Sequence, residues 1–156
     1  MKGWFFASTL LVLLADQASK WWMQWTLSPG QSMPVVPGVL HFTLSFNSGI
    51  AFGLFPQFGK LFLWISLAIA AAVLAYYLHL PAPSASTTAI ASLLTGGALG
   101  NVADRLRLGH VVDFIDLRVF PVFNLADTAV TCATILWIVK HWVFSSPAAQ
   151  DDQAGC

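Results

Sequence analysis

Apolar positions gather into four long runs, and two polar or broken stretches interrupt them. The first run extends from Gly3 to about Trp25 and opens with WFFASTLLVLL behind Lys2, a stretch that alone resembles a signal-peptide core. It then continues as ADQASKWWMQW, in which Trp21, Trp22 and Trp25 suit a membrane interface, and no small-x-small cleavage signal follows. Leu61 to Leu80 is a run of twenty residues without a formal charge, long enough to span. The short PAPSAS connection makes the next run, roughly 87–103, its antiparallel neighbour. That third run is rich in Ser, Thr, Ala and Gly, and Gly96, Gly97 and Gly100 predict an interior helix that its neighbours approach closely. The fourth run covers about 123–143, with Asp127 near its start and Lys140, His141 and Trp142 at its end.

Between the first two runs, residues 26–60 are punctuated by Pro29, Gly30, Pro34, Pro37 and Gly38, which predicts an extramembrane segment. Within it, Val39 to Phe46 alternates Phe42, Leu44 and Phe46 with His41, Thr43 and Ser45, the period of a half-exposed strand. The following NSGIAFG and Phe55 are unusually apolar for a loop; they fit a clamp on the bilayer surface over an apolar ligand, or a plain hairpin packed on helix ends. The expected fold is therefore an all-α integral membrane protein of four transmembrane helices with a small β element on the loop side. It forms one domain over 1–146, followed by a disordered polar tail at 147–156.

Composition agrees. The chain is 57% apolar and 9% charged, with mean hydropathy +0.72, where a soluble domain carries about 25% charge. Seven basic and seven acidic residues cancel and form no basic patch, which excludes a nucleic-acid partner. Cys132 lies in an apolar run and Cys156 in the tail, so no disulfide is expected, and Cys156 lacks the residues of a prenylation signal. Counting bases gives a misleading orientation: Lys2 and Lys140 lie on the terminal side, while Lys20, Lys60, Arg105, Arg107 and Arg118 lie on the loop side. Several of these bases sit beside acids and serve a site better than they report topology.

The stretch Gly96 to Asp127 holds four of the seven acids, Asp104, Asp113, Asp116 and Asp127, next to a membrane boundary where an unpaired charge is costly. Asp113 and Asp127 are fourteen residues apart, and a re-entrant connection brings them together. Two adjacent carboxylates share one proton, so one acts as base towards water while the other donates to a carbonyl, the logic of an aspartic protease. Asn124, one helical turn before Asp127, is placed to orient the pair. Asp16 and Lys20 share a helix face and pair, either to let a helix end tolerate charge or to support the site. Asp104, Arg105 and Asn101 read as a structural ion-pair cluster.

Other chemistries fit less well. No HExxH motif is present; His110, Asp113 and Asp116 make a weak metal-like spacing; Ser19 and Lys20 point apart on a helix; and the DGxxAR opening of lipid-alcohol phosphotransferases is missing. No metal and no cofactor is expected. A four-helix proton- or cation-coupled transporter remains the second reading, although its acids would be expected nearer the midplane.

Five blocks, DQASK (16–20), NSGIAF (47–52), GGALGNVADR (96–105), VVDF (111–114) and FNLAD (123–127), together resemble the motif set of the bacterial lipoprotein signal peptidases, or signal peptidase II. The resemblance implies Asp113 and Asp127 as the catalytic dyad. It implies Asp16, Lys20, Asn47, Gly49, Gly97, Asn101, Arg105, Asn124 and Ala126 as supporting or substrate-lining residues, and Phe52 joins them through the clamp reading. It further implies diacylglyceryl-modified prolipoprotein substrates; membrane lipid is the surrounding partner, and a monomer is expected. The location it implies is the bacterial cytoplasmic membrane, with cytoplasmic termini and the site towards the outer leaflet. The segment between VVDF and FNLAD is short relative to some members of that family.

Overall fold

Each apolar run folds as one helix, and the interruptions supply one sheet. The computed structural model describes residues 1–49 and 59–144. Its order is α1 (Lys2–Thr26), β1 (Ser32–Val36), β2 (Leu40–Asn47), α2 (Gly59–His79), α3 (Ala85–Leu108), β3 (Val111–Asp116) and α4 (Leu125–Phe144). The tail and Phe52, with the rest of the clamp region from Ile50 onward, lie outside the described residues.

α3 is the central helix and packs against α1, α2 and α4. Its small residues are the reason. A Cβ at Gly96 would stand 2.8 Å from the Val12 Cβ, one at Gly97 would stand 2.6 Å from the Ala126 carbonyl oxygen, and one at Gly100 would stand 2.5 Å from the Asp16 carboxylate. Only glycine lets α1 and α4 come this close. The expected interior helix is thus present, and it runs further than expected, to Leu108, where Gly109 at φ 78° ends it and turns the chain into β3.

The helices invert the usual amphipathic order. On α1 the buried stripe is Phe5, Thr9, Asp16, Lys20 and Met23, while Trp4, Leu10, Leu11, Leu14, Trp21, Trp22 and Trp25 are exposed. Charge inside and large apolar groups outside is the arrangement that lipid favours. Among the described residues, one helix alone is long and apolar enough to cross a membrane by composition, Lys60–His79 with mean hydropathy 2.2.

The sheet is antiparallel in the order β1-β2-β3. The strand expected at 39–46 is β2; β1 and β3 were not expected. β1 contains Pro34, which an edge strand tolerates because its missing N–H costs no ladder bond. β3 is the stretch that the sequence presents as a re-entrant connection. Alternation along β3 turns Val112 and Phe114 into an apolar core with Met23, Leu27 and Leu44, and turns Asp113 to the opposite face.

Candidate active site

The start of α4 builds the site. Asn124 immediately precedes the helix, and its Oδ1 accepts the Asp127 N–H at 2.9 Å, while the Asp127 Oδ2 accepts the Asn124 N–H at 3.3 Å. This reciprocal capping box satisfies two of the orphan donors of a helix N-terminus. A third is satisfied from another helix: the Ala126 N–H donates to the Asp16 Oδ1 at 2.9 Å. FNLAD is therefore a capping sequence whose acid also faces a cavity.

Asp113 arrives from β3, where it pairs in register with Ser45 of β2. Its Oδ1 accepts the Asn124 Nδ2 at 2.7 Å and its Oδ2 accepts the Asn47 Nδ2 at 3.1 Å. Asp127 Oδ1 accepts the Asn101 Nδ2 at 2.8 Å. Asn124 thus touches both aspartates, and its Nδ2 also donates to the Asn101 Oδ1 at 3.2 Å. Burial, reinforced by the negative charge of Asp127, pushes the Asp113 carboxyl up to about 7.

Behind this layer lies a buried charge cluster. Lys20 Nζ stands 2.8 Å from both Asp16 Oδ2 and Asp104 Oδ2, and it donates to the Asn101 Oδ1 at 3.1 Å. Because Asn101 Oδ1 takes donors from Lys20 and Asn124, its Nδ2 is the group left to face Asp127. The lysine fixes the amide, and the amide addresses the acid. Asp104 also accepts the Val112 N–H at 3.1 Å, which ties α3 to the strand just before Asp113.

One expectation is corrected here, and one weak spacing is accounted for. Asp104 pairs with Lys20 rather than Arg105, because adjacent helical residues diverge, so Asp104 faces α1 while Arg105 faces the cavity. His110, Asp113 and Asp116 do not converge: β3 alternation sends the two acids to opposite faces, Asp116 is bound by Thr43 and Arg118, and the His110 ring lies against Phe46.

The cavity measures about 400 Å³, and Asp113, Asp127, Asn47, Gly49, Asn101 and Arg105 all line it. Arg105 reaches the Gly49 carbonyl at 3.4 Å, and its buried Nε has no hydrogen-bond partner among the described residues. Asp16, Lys20, Gly97 and Ala126 do not line it; they hold α1, α3 and α4 together behind it. Gln17 escaped sequence reasoning, although its Nε2 donates to Asp16, Asp104 and the Gly100 carbonyl. Its position inside DQASK was the available signal. Phe62 and Ile65 of α2 and Phe120 of the β3–α4 connection supply apolar walls that no motif marks, beside Phe123 of FNLAD.

A family model described as signal peptidase (SPase) II matches residues 8–143. The lipoprotein signal peptidase of Moorella thermoacetica is 40% identical over 146 residues, covering 94% of this chain and 95% of that one. The lipoprotein signal peptidase of Pelotomaculum thermopropionicum is 45% identical, covering 84% and 86%. A bacterial membrane enzyme solved by the in meso method at 2.3 Å resolution superposes with TM-score 0.87 at 31% identity, covering 96% of this chain and 93% of that one.

Proposed function

The chain belongs to the signal peptidase II family, and from that premise we propose that Asp113 and Asp127 are the dyad with which it cleaves prolipoproteins. The chain is a lipoprotein signal peptidase, an aspartic endopeptidase of bacterial membranes. The transporter reading is set aside, since the relatives are peptidases. In the proposed reaction the substrate carries a diacylglyceryl group on the cysteine that becomes the new N-terminus, and the bond before that cysteine is cut.

One observation carries the assignment: a single side chain, Asn124, hydrogen-bonds Asp113 and caps the helix through Asp127, so the two carboxylates are held as one unit. With Asp113 pushed up to about 7, the pair holds one proton near neutrality. Asp127 accepts hydrogen bonds from the Asn124 N–H at the start of α4 and from the Asn101 amide. Asp127 takes a proton from water as the water oxygen bonds to the scissile carbonyl carbon, while Asp113 gives its proton to the carbonyl oxygen. In the second step the C–N bond breaks, Asp127 passes its proton to the leaving nitrogen, and the diol returns a proton to Asp113. Arg105 offsets the remaining negative charge of the site.

All four helices span the membrane in this reading, supported by the exposed apolar surfaces of α1, α2 and α4. The termini are cytoplasmic, and the sheet and site lie towards the outer leaflet at the end marked by Trp21, Trp22 and Trp25. A monomer suffices, because both aspartates and the cavity walls belong to one chain. The test is cleavage of a diacylglyceryl-modified prolipoprotein by purified protein in detergent, with and without a chelator. Full activity with chelator is expected; inhibition by chelator, or equal cleavage of the unlipidated precursor, overturns the reading.

A further inference from the structure

The end of the bundle away from the paired acids carries cations without counter-charges. Among the described residues the acids are Asp16, Asp104, Asp113, Asp116 and Asp127, and each belongs to the site, the charge cluster behind it or the sheet. Lys140 stands on α4 about 20 Å beyond Asp127, at about 1.5 Å of rise per residue. Its Nζ donates to the Thr87 Oγ1 at 2.6 Å and to the Ser84 Oγ at 3.2 Å, two neutral acceptors. Ser84 is the cap of α3, and its Oγ also accepts the Thr87 N–H at 3.2 Å. The ammonium therefore lies at the start of a helix, the end whose dipole favours an anion and opposes a cation. A positive charge placed there, with no acid beside it, calls for a negative partner.

Two cavities meet at this lysine. One, of about 200 Å³, lies among α2, α3 and α4 against Val73, Ile90, Leu94 and Trp137. The other, of about 530 Å³, lies between α3 and α4 against Ala89, Ile90, Leu136 and Val139. Ile90 and Lys140 line both, so the ammonium marks the divide between two largely apolar grooves. Leu136, Trp137 and Val139 are about half exposed, which opens these grooves to the surroundings of the bundle.

We propose that this end of the bundle binds one anionic phospholipid, with its phosphate on Lys140 beside Ser84 and Thr87 and one acyl chain in each groove. Charge and shape together select that occupant. A neutral lipid would leave the ammonium without a counter-charge at a helix start, and a free anion would leave both grooves unfilled. One cation from which two apolar grooves diverge matches a head group from which two chains diverge. The chain belongs to a family of membrane enzymes, so such lipids surround it. The head group supplies the electrostatic part of the recognition, and close packing in the grooves supplies the rest.

The test is native mass spectrometry of the delipidated full chain in a neutral detergent, titrated with phosphatidylglycerol carrying two hexadecanoyl chains. One molecule should be retained per chain, with phosphatidylcholine of the same chains and inorganic phosphate both bound at least about fivefold more weakly. Lys140→Gln keeps a hydrogen-bonding group and removes the charge, which should raise Kd about fivefold, the worth of one lysine at an anionic head group. Ala89→Trp fills the larger groove from an exposed position on α3 and should weaken binding at least as much. Lys2→Gln removes an equal charge from the same end, outside both grooves, and should bind as the parent does. Equal retention of phosphatidylcholine overturns the proposal in favour of a groove blind to charge. Inorganic phosphate bound as tightly as the lipid overturns it in favour of a small-anion site, and equal losses in Lys2→Gln and Lys140→Gln overturn it in favour of diffuse attraction. Retention that emerges only when Asp151→Asn and Asp152→Asn are combined gives the lysine to the chain's own tail, and the proposal falls. Precursor cleavage by each variant should match the parent and so reports folding; parent-like cleavage without lipid retention sinks the lipid site and leaves the peptidase standing.

Discussion

Asn124 is fully buried and joins the two acids, so the site depends on one neutral side chain as much as on its charged members. Asn124→Ala removes the helix cap and leaves Asp113 one donor short, which should lower stability by about 1–2 kcal/mol. The loosened geometry should lower kcat by about 100-fold with little change in KM, a split that steady-state kinetics reads directly. Asp113 adds a pH signature. Its carboxyl is raised from 3.8 to about 7, so between those values the folded protein holds a proton that the unfolded chain has lost. The associated stability is therefore complete below 3.8 and lost as pH rises through about 7. Asp113→Asn cannot ionise, so its Tm relative to the parent should rise between about pH 4 and about pH 7 and level off above; a pH-independent difference contradicts the buried, proton-holding Asp113. The acids themselves were legible in the sequence, because carboxylates beside a membrane-spanning run demand a reason. The partner of Asp104 was not legible, since adjacency to Arg105 in sequence hid its divergence on the helix.

At the scale of elements, the four helices were legible because apolar length has one meaning in a membrane. The strands were not. β1 hides behind Pro34, and β3 is covered on both faces, so its apolar residues lack a clean alternation; its pattern shows only once the partner strand is known. The close contact of α3 with α4 was signalled by the glycines, and its consequence is testable. Gly97→Ala puts a Cβ 2.6 Å from the Ala126 backbone carbonyl, which cannot move without shifting the capping turn that holds Asp127. A loss of about 1–3 kcal/mol and a fall in kcat are expected. Gly3→Ala, with nothing within 4 Å, should be silent in both thermal melts and cleavage.

At the scale of the whole molecule, the excess of bases on the loop side has a structural reason. Lys20 is buried between Asp16 and Asp104, Arg118 pairs with Asp116, Arg107 donates to Gln17, and Arg105 faces the cavity, so four of the five loop-side bases are committed to partners or to the site. A phosphatase reporter that is active only outside the cytoplasm should therefore be active when fused within 26–60 and silent when fused after Phe144; the reverse pattern refutes the proposed topology. Within the bundle, α3 positions both α4 and, through the Asp104 bond to Val112, the strand bearing the second acid. The proposed dyad acts as a unit, so the most direct measurement is single-turnover cleavage by Asp113→Asn, Asp127→Asn and the double variant, each checked for folding. Each single change should lower the rate by roughly 100- to 10,000-fold, and the double variant should be no slower than the slower single. Full activity in either single variant, or a double loss equal to the product of the two, contradicts the dyad.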